Sequence, residues 1–322
     1  METCYYSENL NKNSLSSPGY YERPVDTEKK QFMKKGIFFS VLLLLTGALQ
    51  AQEIRGGFRA GLNFSTLSGP IEENANGEAL EEFGITTGFH IGAVVNFQFT
   101  DYFGLRTELS YSQRGTEYRY EGESFWNFET VDGTEFVSTG TRSTVMTISN
   151  SYLNIPVGAY VRAGRFELSA GAGVGLNLAG RGEGELTYSG VSPMGSPVET
   201  FTTALDFSYG NDHFGRRDFR EDVPEIVDGV TILSPRNIGA YYEAPSGRKS
   251  LFKPIDLFLH AGISVFLNRG MYIGGRINYG MTDITRTVRD VSKFMLDPEN
   301  GYILRDDKDQ NFNIEASIGF SF

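Results

Sequence analysis

Cysteine is nearly missing from this chain: 322 residues hold one, Cys4, and none follows the apolar run that ends at Leu49. An exported domain without cysteine has no disulfide to staple it and no processed N-terminal cysteine to carry a lipid. Histidine is scarce at three, and tryptophan scarcer at one. Basic charge is also short, since 29 Lys and Arg face 40 Asp and Glu for a formal net charge of −11. That balance argues against a nucleic-acid partner, because neutralising phosphates takes a basic face. After the first fifty or so residues, no stretch approaches the roughly 18 apolar residues of a membrane-spanning helix. Glycine is abundant, with 38 residues, alongside 25 Phe and 17 Tyr. The glycine content exceeds the average of about 7% and falls inside alternating segments, a combination that points to many strands.

Residues 33–51 have a basic start at Lys34 and Lys35, an apolar run from Ile37 to Leu49 and a small residue, Ala51, before Gln52. This is the layout of a secretory signal peptide, and the run is short for a span. Because 32 mostly polar residues precede Met33, translation is expected to start at Met33. Residues 1–32 then form an upstream extension without structure, and the mature chain is 52–322.

From Arg55 onward the period is two. Runs at 58–64, 85–99, 103–112, 153–162, 166–178, 255–268, 273–280 and 312–322 each put apolar residues on one face and Gly, Ser, Asn and charged residues on the other. In the second, Phe89, Ile91, Ala93, Val95 and Phe97 oppose His90, Gly92, Asn96 and Gln98, the pattern of a strand with one apolar face. Between these runs, connections of a few residues alternate with connections of about 18, 30, 70 and 25 residues. Strict alternation of short and long suits an outer-membrane barrel, with tight periplasmic turns and long outer loops. The expected fold is therefore all-β, an antiparallel up-and-down transmembrane barrel of eight strands with a long extracellular loop at 181–250. Ten strands is the alternative, if two more hide in that loop, for instance at Glu199 to Tyr209.

The polar faces carry Arg59, Arg106 and Arg276 against Glu108, Glu167, Asp256 and Glu315. A soluble core could not hold seven ionisable groups cheaply, since each buried charge must be paired. In an eight-stranded barrel they can pair around a polar axis, and inward glycines fit a lumen only wide enough for side chains. A filled interior without a wide pore is expected. Phe322, last in an alternating strand, is similar to the terminal aromatic signal recognised by the barrel-assembly machinery.

Phe58-Arg59-Ala60-Gly61-Leu62-Asn63-Phe64-Ser65, Tyr152-Leu153-Asn154-Ile155-Pro156-Val157 and Tyr279-Gly280-Met281-Thr282-Asp283-Ile284 resemble stretches of the PorT-like family of outer-membrane β-barrel proteins. The resemblance covers most of 54–322 in order. It implies an outer-membrane barrel and, through the family's namesake, an association with protein secretion.

Catalytic and metal chemistry finds little support. His90 and His260 lie on polar strand faces and fit lumen hydrogen-bond networks. Asp212-His213 is an Asp/His pair of the type omptin-like barrel proteases use, but adjacent strand residues point apart and ten strands would be needed. The 306–311 segment places acidic or amide groups from Asp307 as a calcium loop would, yet Phe312 stands where glycine is required and Ile318 where a bidentate Glu should be. A solvated loop is expected there, and likewise around Glu72, Glu73, Glu78, Glu81 and Glu82. The aromatics Tyr118, Tyr120, Phe125, Trp126, Phe128 and Phe136 are expected to extend the barrel wall above the bilayer, where neighbouring strands would cover them.

The function expected is a non-enzymatic envelope or surface-interaction role without a cofactor. The expected partners are outer-membrane lipid and lipopolysaccharide, the barrel-assembly machinery and a protein met through the outer loops. Arg outnumbers Lys 19 to 4 after residue 51, which suits contacts to phosphates and carboxylates. A barrel enzyme acting on lipid A or peptides and a soluble lipocalin-like binder are the alternatives.

Overall fold

In the computed structural model the described residues are 53–212, 222–245, 247, 249–299 and 301–322. The signal peptide expected at 33–51 and the extension 1–32 lie outside them. Eight strands form the barrel: β1 (Glu53–Ser68), β2 (Thr86–Gln98), β3 (Phe103–Thr130), β4 (Phe136–Ala163), β5 (Phe166–Val191), β6 (Ile255–Phe266), β7 (Met271–Gly280) and β8 (Gln310–Ser321). Each pairs antiparallel with its neighbour in sequence, from β1–β2 through β7–β8. β8 pairs with β1 from Gly57↔Ser321 to Ser68↔Gln310, so the ring of pairings returns to its start.

The two-residue period decides which face is which. Leu62, Ile91 and Leu168 point outward at 50%, 55% and 60% exposure, while their neighbours Asn63, His90 and Glu167 point inward and are buried. A soluble protein would have it the other way round. On β5 the outward apolar row runs from Phe166 to Leu178, which at about 3.4 Å per residue and a tilt near 40° covers roughly 30 Å, enough for the apolar band of a membrane barrel. The short turns are closed by local hydrogen bonds. Thr100 Oγ1 accepts the N–H groups of Tyr102 and Phe103 at 3.3 and 3.0 Å, and Asn268 Oδ1 accepts those of Gly270 and Met271 at 2.9 and 2.7 Å.

Three strands run well past the apolar belt, which corrects the expected boundaries. The alternation that fades after Ser112 does not end a strand, since β3 continues to Thr130 and β4 begins at Phe136. The segment 181–250 is not one long loop. Its first eleven residues belong to β5, and Pro197–Ser208 folds back on them as a hairpin partner. Among the described residues that added strand pairs on its other side with Asn237–Ile238 alone and stays out of the ring of pairings, which holds eight strands and not ten.

Above the belt the polarity inverts. On β4 Met146 and Ile148 point inward while Thr141, Ser143 and Thr147 are exposed. On β5 the switch is made by one extra residue. Ser151 pairs with Ala179 but Tyr152 with Asn177, leaving Leu178 as a bulge. Below it the inward residues are odd-numbered (Glu167, Gly175, Asn177), and above it they are even-numbered (Gly182, Leu186, Tyr188). A one-residue slip exchanges the faces of a strand. Here it turns a wall that is apolar on the outside into the wall of a head whose apolar core is inside.

Candidate functional site

The lumen is filled in three layers. Nearest the short turns, Glu167 takes Arg106 and Arg162, each at 2.8 Å. Arg106 donates from Nε to Asn96 Oδ1 at 2.6 Å and lies 5.1 Å from the Tyr160 ring centre. In the middle, Arg59 and Arg276 bridge Glu108 and Glu315. Arg59 bonds Glu315 and reaches Glu108 at 3.5 Å, and Arg276 bonds Glu108 and reaches Glu315 at 3.9 Å. Toward the head, Asp256 accepts Asn311 Nδ2 at 2.9 Å, the Thr282 hydroxyl at 3.1 Å and Arg114 at 3.4 Å. The Arg114 guanidinium sits between the rings of Tyr152 and Phe258, at 4.9 and 5.2 Å.

Large rings reach into this lumen because the residue across the ladder is glycine. A Cβ on Gly319 would stand 2.1 Å from the Tyr272 ring, and one on Gly173 2.4 Å from Phe258. A void of about 10 Å³ lies among Arg106, Glu108, His260 and Arg276, about the room of a single water.

The head begins where the lumen ends. Trp126 is wholly buried, its ring edge-on to Phe201 at 5.1 Å and near Tyr188 and Tyr242. Arg142 lies 5.2 Å from the Trp126 ring and gives two hydrogen bonds to Glu243, with Lys293 also 3.3 Å from that carboxylate. Burial alone would raise the Glu243 pKa, but the two cations hold it down at about 2. Glu72 is buried, and accepts the Ser292 hydroxyl and the Lys293 N–H. Glu81, also buried, takes Arg305 at 2.6 Å. Beneath this cap lies a cavity of about 160 Å³.

A family model described as the outer membrane protein beta-barrel domain matches residues 50–286. The chain belongs to this family. It is an outer-membrane β-barrel protein whose strands carry an outward apolar belt. No curated protein matches it. Among solved structures it is similar to Ail, the attachment invasion locus protein of Yersinia pestis, in complex with the heparin analogue sucrose octasulfate. The identity is 14% over 84% of this chain and 99% of that one, with a TM-score of 0.30. Neisserial surface protein A is similar at 10% identity over 83% and 97%, TM-score 0.31. So is the outer membrane protease OmpT from Escherichia coli, at 7% over 85% and 98%, TM-score 0.29.

The barrel brings together all seven charged residues expected in its lumen, but with two additions. Arg114, beyond the expected end of the third strand, is the cation beside Asp256, and Arg162 shares Glu167. Continuing the even-numbered series Arg106, Glu108, Ser110, Ser112 by one step reaches Arg114. His90 Nδ1 meets Asn63 Oδ1 at 2.8 Å, as a network predicts, whereas neither ring nitrogen of His260 has a hydrogen-bond partner. Glu72 and Glu81 depart from the solvated loop expected of the five acidic residues, because each is held inside the cap; Glu73, Glu78 and Glu82 are exposed. Asp212 accepts the N–H groups of Ser208 and Ala240, while His213 lies outside the described residues. Phe322 is 77% exposed, its ring 6.4 Å from Phe58 on the outer face.

Proposed function

We propose that this outer-membrane barrel is a poreless, non-catalytic anchor that presents its extracellular head as a recognition element. The observation that carries the reading is the polarity reversal at Leu178, which gives the head an apolar core of its own on top of a lumen filled with ion pairs. A channel would need a continuous polar path, and here the polar lumen meets the Trp126 core. Binding is favoured over catalysis because His90 and His260 lie inside the barrel wall, away from the head's outer surface.

Exposed arginines above the belt, Arg119 and Arg181, suit contacts with lipopolysaccharide phosphates. Terminal Phe322 suits recognition by the barrel-assembly machinery, and the head suits a protein partner. The PorT-like resemblance adds a secretion-associated role, testable by comparing secreted proteins with and without the gene. The test of the main reading is conductance. Purified protein in planar lipid bilayers in concentrated KCl is expected to show no stable current steps, and a steady open level would overturn the poreless assignment.

A further inference from the structure

The cavity under the cap has two unlike sides. One is apolar, formed by side chains such as Leu67, Met146, Ile148, Leu205 and Phe252; the other holds the carboxylates of Glu81, Asp290 and Asp309. Asp307 joins these last two, with one oxygen of each of Asp290, Asp307 and Asp309 lying within 4.8 Å of the others. Four carboxylates thus share Arg305, which reaches Glu81 at 2.6 Å and Asp307 at 2.8 Å. Glu81 is 4% exposed, yet its Oε2 has no hydrogen-bond partner, a costly condition for a buried acceptor. Arg142 and Lys293, on the same cavity, are engaged by Glu243. Arg289 donates to the backbone carbonyls of Lys249 and Pro245. The acidic side therefore sets Arg305, the Glu72 N–H and the Thr285 hydroxyl against four carboxylates, which leaves it short of positive charge, while the opposite side is apolar.

We propose that this cavity binds a small amphipathic organic cation, a single ring or short chain bearing a primary ammonium, with the ammonium among Glu81, Asp290 and Asp309 and the apolar body against Met146 and Leu205. The size agrees, since a cavity of about 150 Å³ holds one benzene ring, and the volume here is about 160 Å³. An ammonium brings three donors to a site that has acceptors to spare. Burial, together with the neighbouring carboxylates, pushes the Asp290 pKa up to about 8, as a site short of cations should. The proposal rests on the reading of the head as a recognition element and names its ligand class.

The test uses the full barrel refolded in detergent, with phenethylamine as probe and the fluorescence of Trp126, the chain's single tryptophan, as signal; Trp126 lies 5.9 Å from Tyr242, which lines the cavity. Saturable binding is expected, weakened at least tenfold in Asp290→Asn and in the cavity-filling Met146→Phe, with both variants keeping the heat-dependent gel shift of a folded barrel. Phenethyl alcohol, the uncharged analogue, is expected to bind at least tenfold more weakly. No saturable binding, equal binding of the alcohol, unchanged affinity in both folded variants, or a response to calcium alone would each overturn the proposal. None of these results alters the conductance measurement, so loss of the ligand assignment and loss of the poreless reading remain distinguishable.

Discussion

Arg142 on β4 and Glu243 in the segment that closes the head are joined by two parallel hydrogen bonds, 2.9 and 2.6 Å long, beside the ring of Trp126. The pair ties the sheet to its cap beside the buried Trp126. Removing one partner leaves an uncompensated buried charge, which costs about 3–5 kcal/mol. Glu243→Gln is therefore expected to release the cap and red-shift Trp126 emission at denaturant concentrations that leave the barrel's gel shift intact. Coincident loss of both signals in the wild type and the variant would refute separate head unfolding.

The same pair sets an acid limit. The Glu243 pKa is held at about 2 in the folded head, below the usual glutamate value of about 4.3. Its contribution is fully present above the unfolded value and lost as the pH falls through the folded one. Head stability read by Trp126 should thus drop between about pH 4.5 and pH 2, and in Glu243→Gln this part of the drop should disappear.

Asp290 and Asp309 work in the opposite sense. Burial first, and then the neighbouring carboxylates, raise their pKa values to about 8 and about 6. A raised carboxyl pKa means the folded state keeps protons the unfolded chain has lost, so stability is greatest at low pH and falls as pH rises through those values. Without a bound cation, the head's denaturation midpoint should be lower at pH 9 than at pH 5, and Asp290→Asn should reduce the difference. A midpoint independent of pH across this range would count against the assignment.

How much of this was legible in the sequence follows from which solvent each face meets. Inside the membrane belt the alternation is uninterrupted, so Leu62 against Asn63 or Leu168 against Glu167 gives eight strands and an inward charge set by inspection. Above the belt the outward residues become polar and the inward ones mix Arg142 and Thr144 with Met146 and Ile148. Neither face is uniformly apolar there, and a period-two search stops at Ser112 and Leu178, although the strands continue. Arg114 fell just beyond that limit. The Arg142–Glu243 pair could not be foreseen at all, because its members are 101 residues apart and their meeting depends on how residues 237–245 fold over the sheet.

The glycine-and-ring pairs in the lumen make a two-sided prediction. Gly173 on β5 faces Phe258 on β6 directly across the ladder, and a Cβ there would stand 2.4 Å from the ring. Overpacking of this kind costs roughly 1–3 kcal/mol, so Gly173→Ala should lower the barrel's own denaturation midpoint while leaving Trp126 buried as long as the barrel holds. Phe258→Ala alone should also destabilise, through the cavity it leaves beside Arg114. The double variant should be less destabilised than the sum of the two, since the new methyl enters space the ring has vacated. Strict additivity would show that Gly173 is needed for its backbone and not for the room it gives Phe258.

The bulge at Leu178 offers the sharpest test of how the head is built. Deleting Leu178 makes Asn177 and Ala179 consecutive opposite Tyr152 and Ser151, so β5 becomes a regular strand and Leu186 and Tyr188 still point inward. That variant should keep both its gel shift and its buried Trp126. Deleting Leu178 and Ala179 together instead puts Gly180 on the outer face after Asn177. With the lower half of β5 held in register by β4 and β6, Leu186 and Tyr188 then move to the outside, and Glu183 and Glu185 turn into the apolar core. Each carboxylate would be buried without a partner, at a cost the head cannot meet. The double-deletion variant should still insert and keep its gel shift, because the lower half of β5 keeps its register. Its Trp126 emission should be that of a solvated indole, and protease should cut within 181–250 at enzyme concentrations the wild type resists. Restoring a single residue of any apolar type should bring back both properties, since the parity of the strand, and not the leucine side chain, decides which face turns inward.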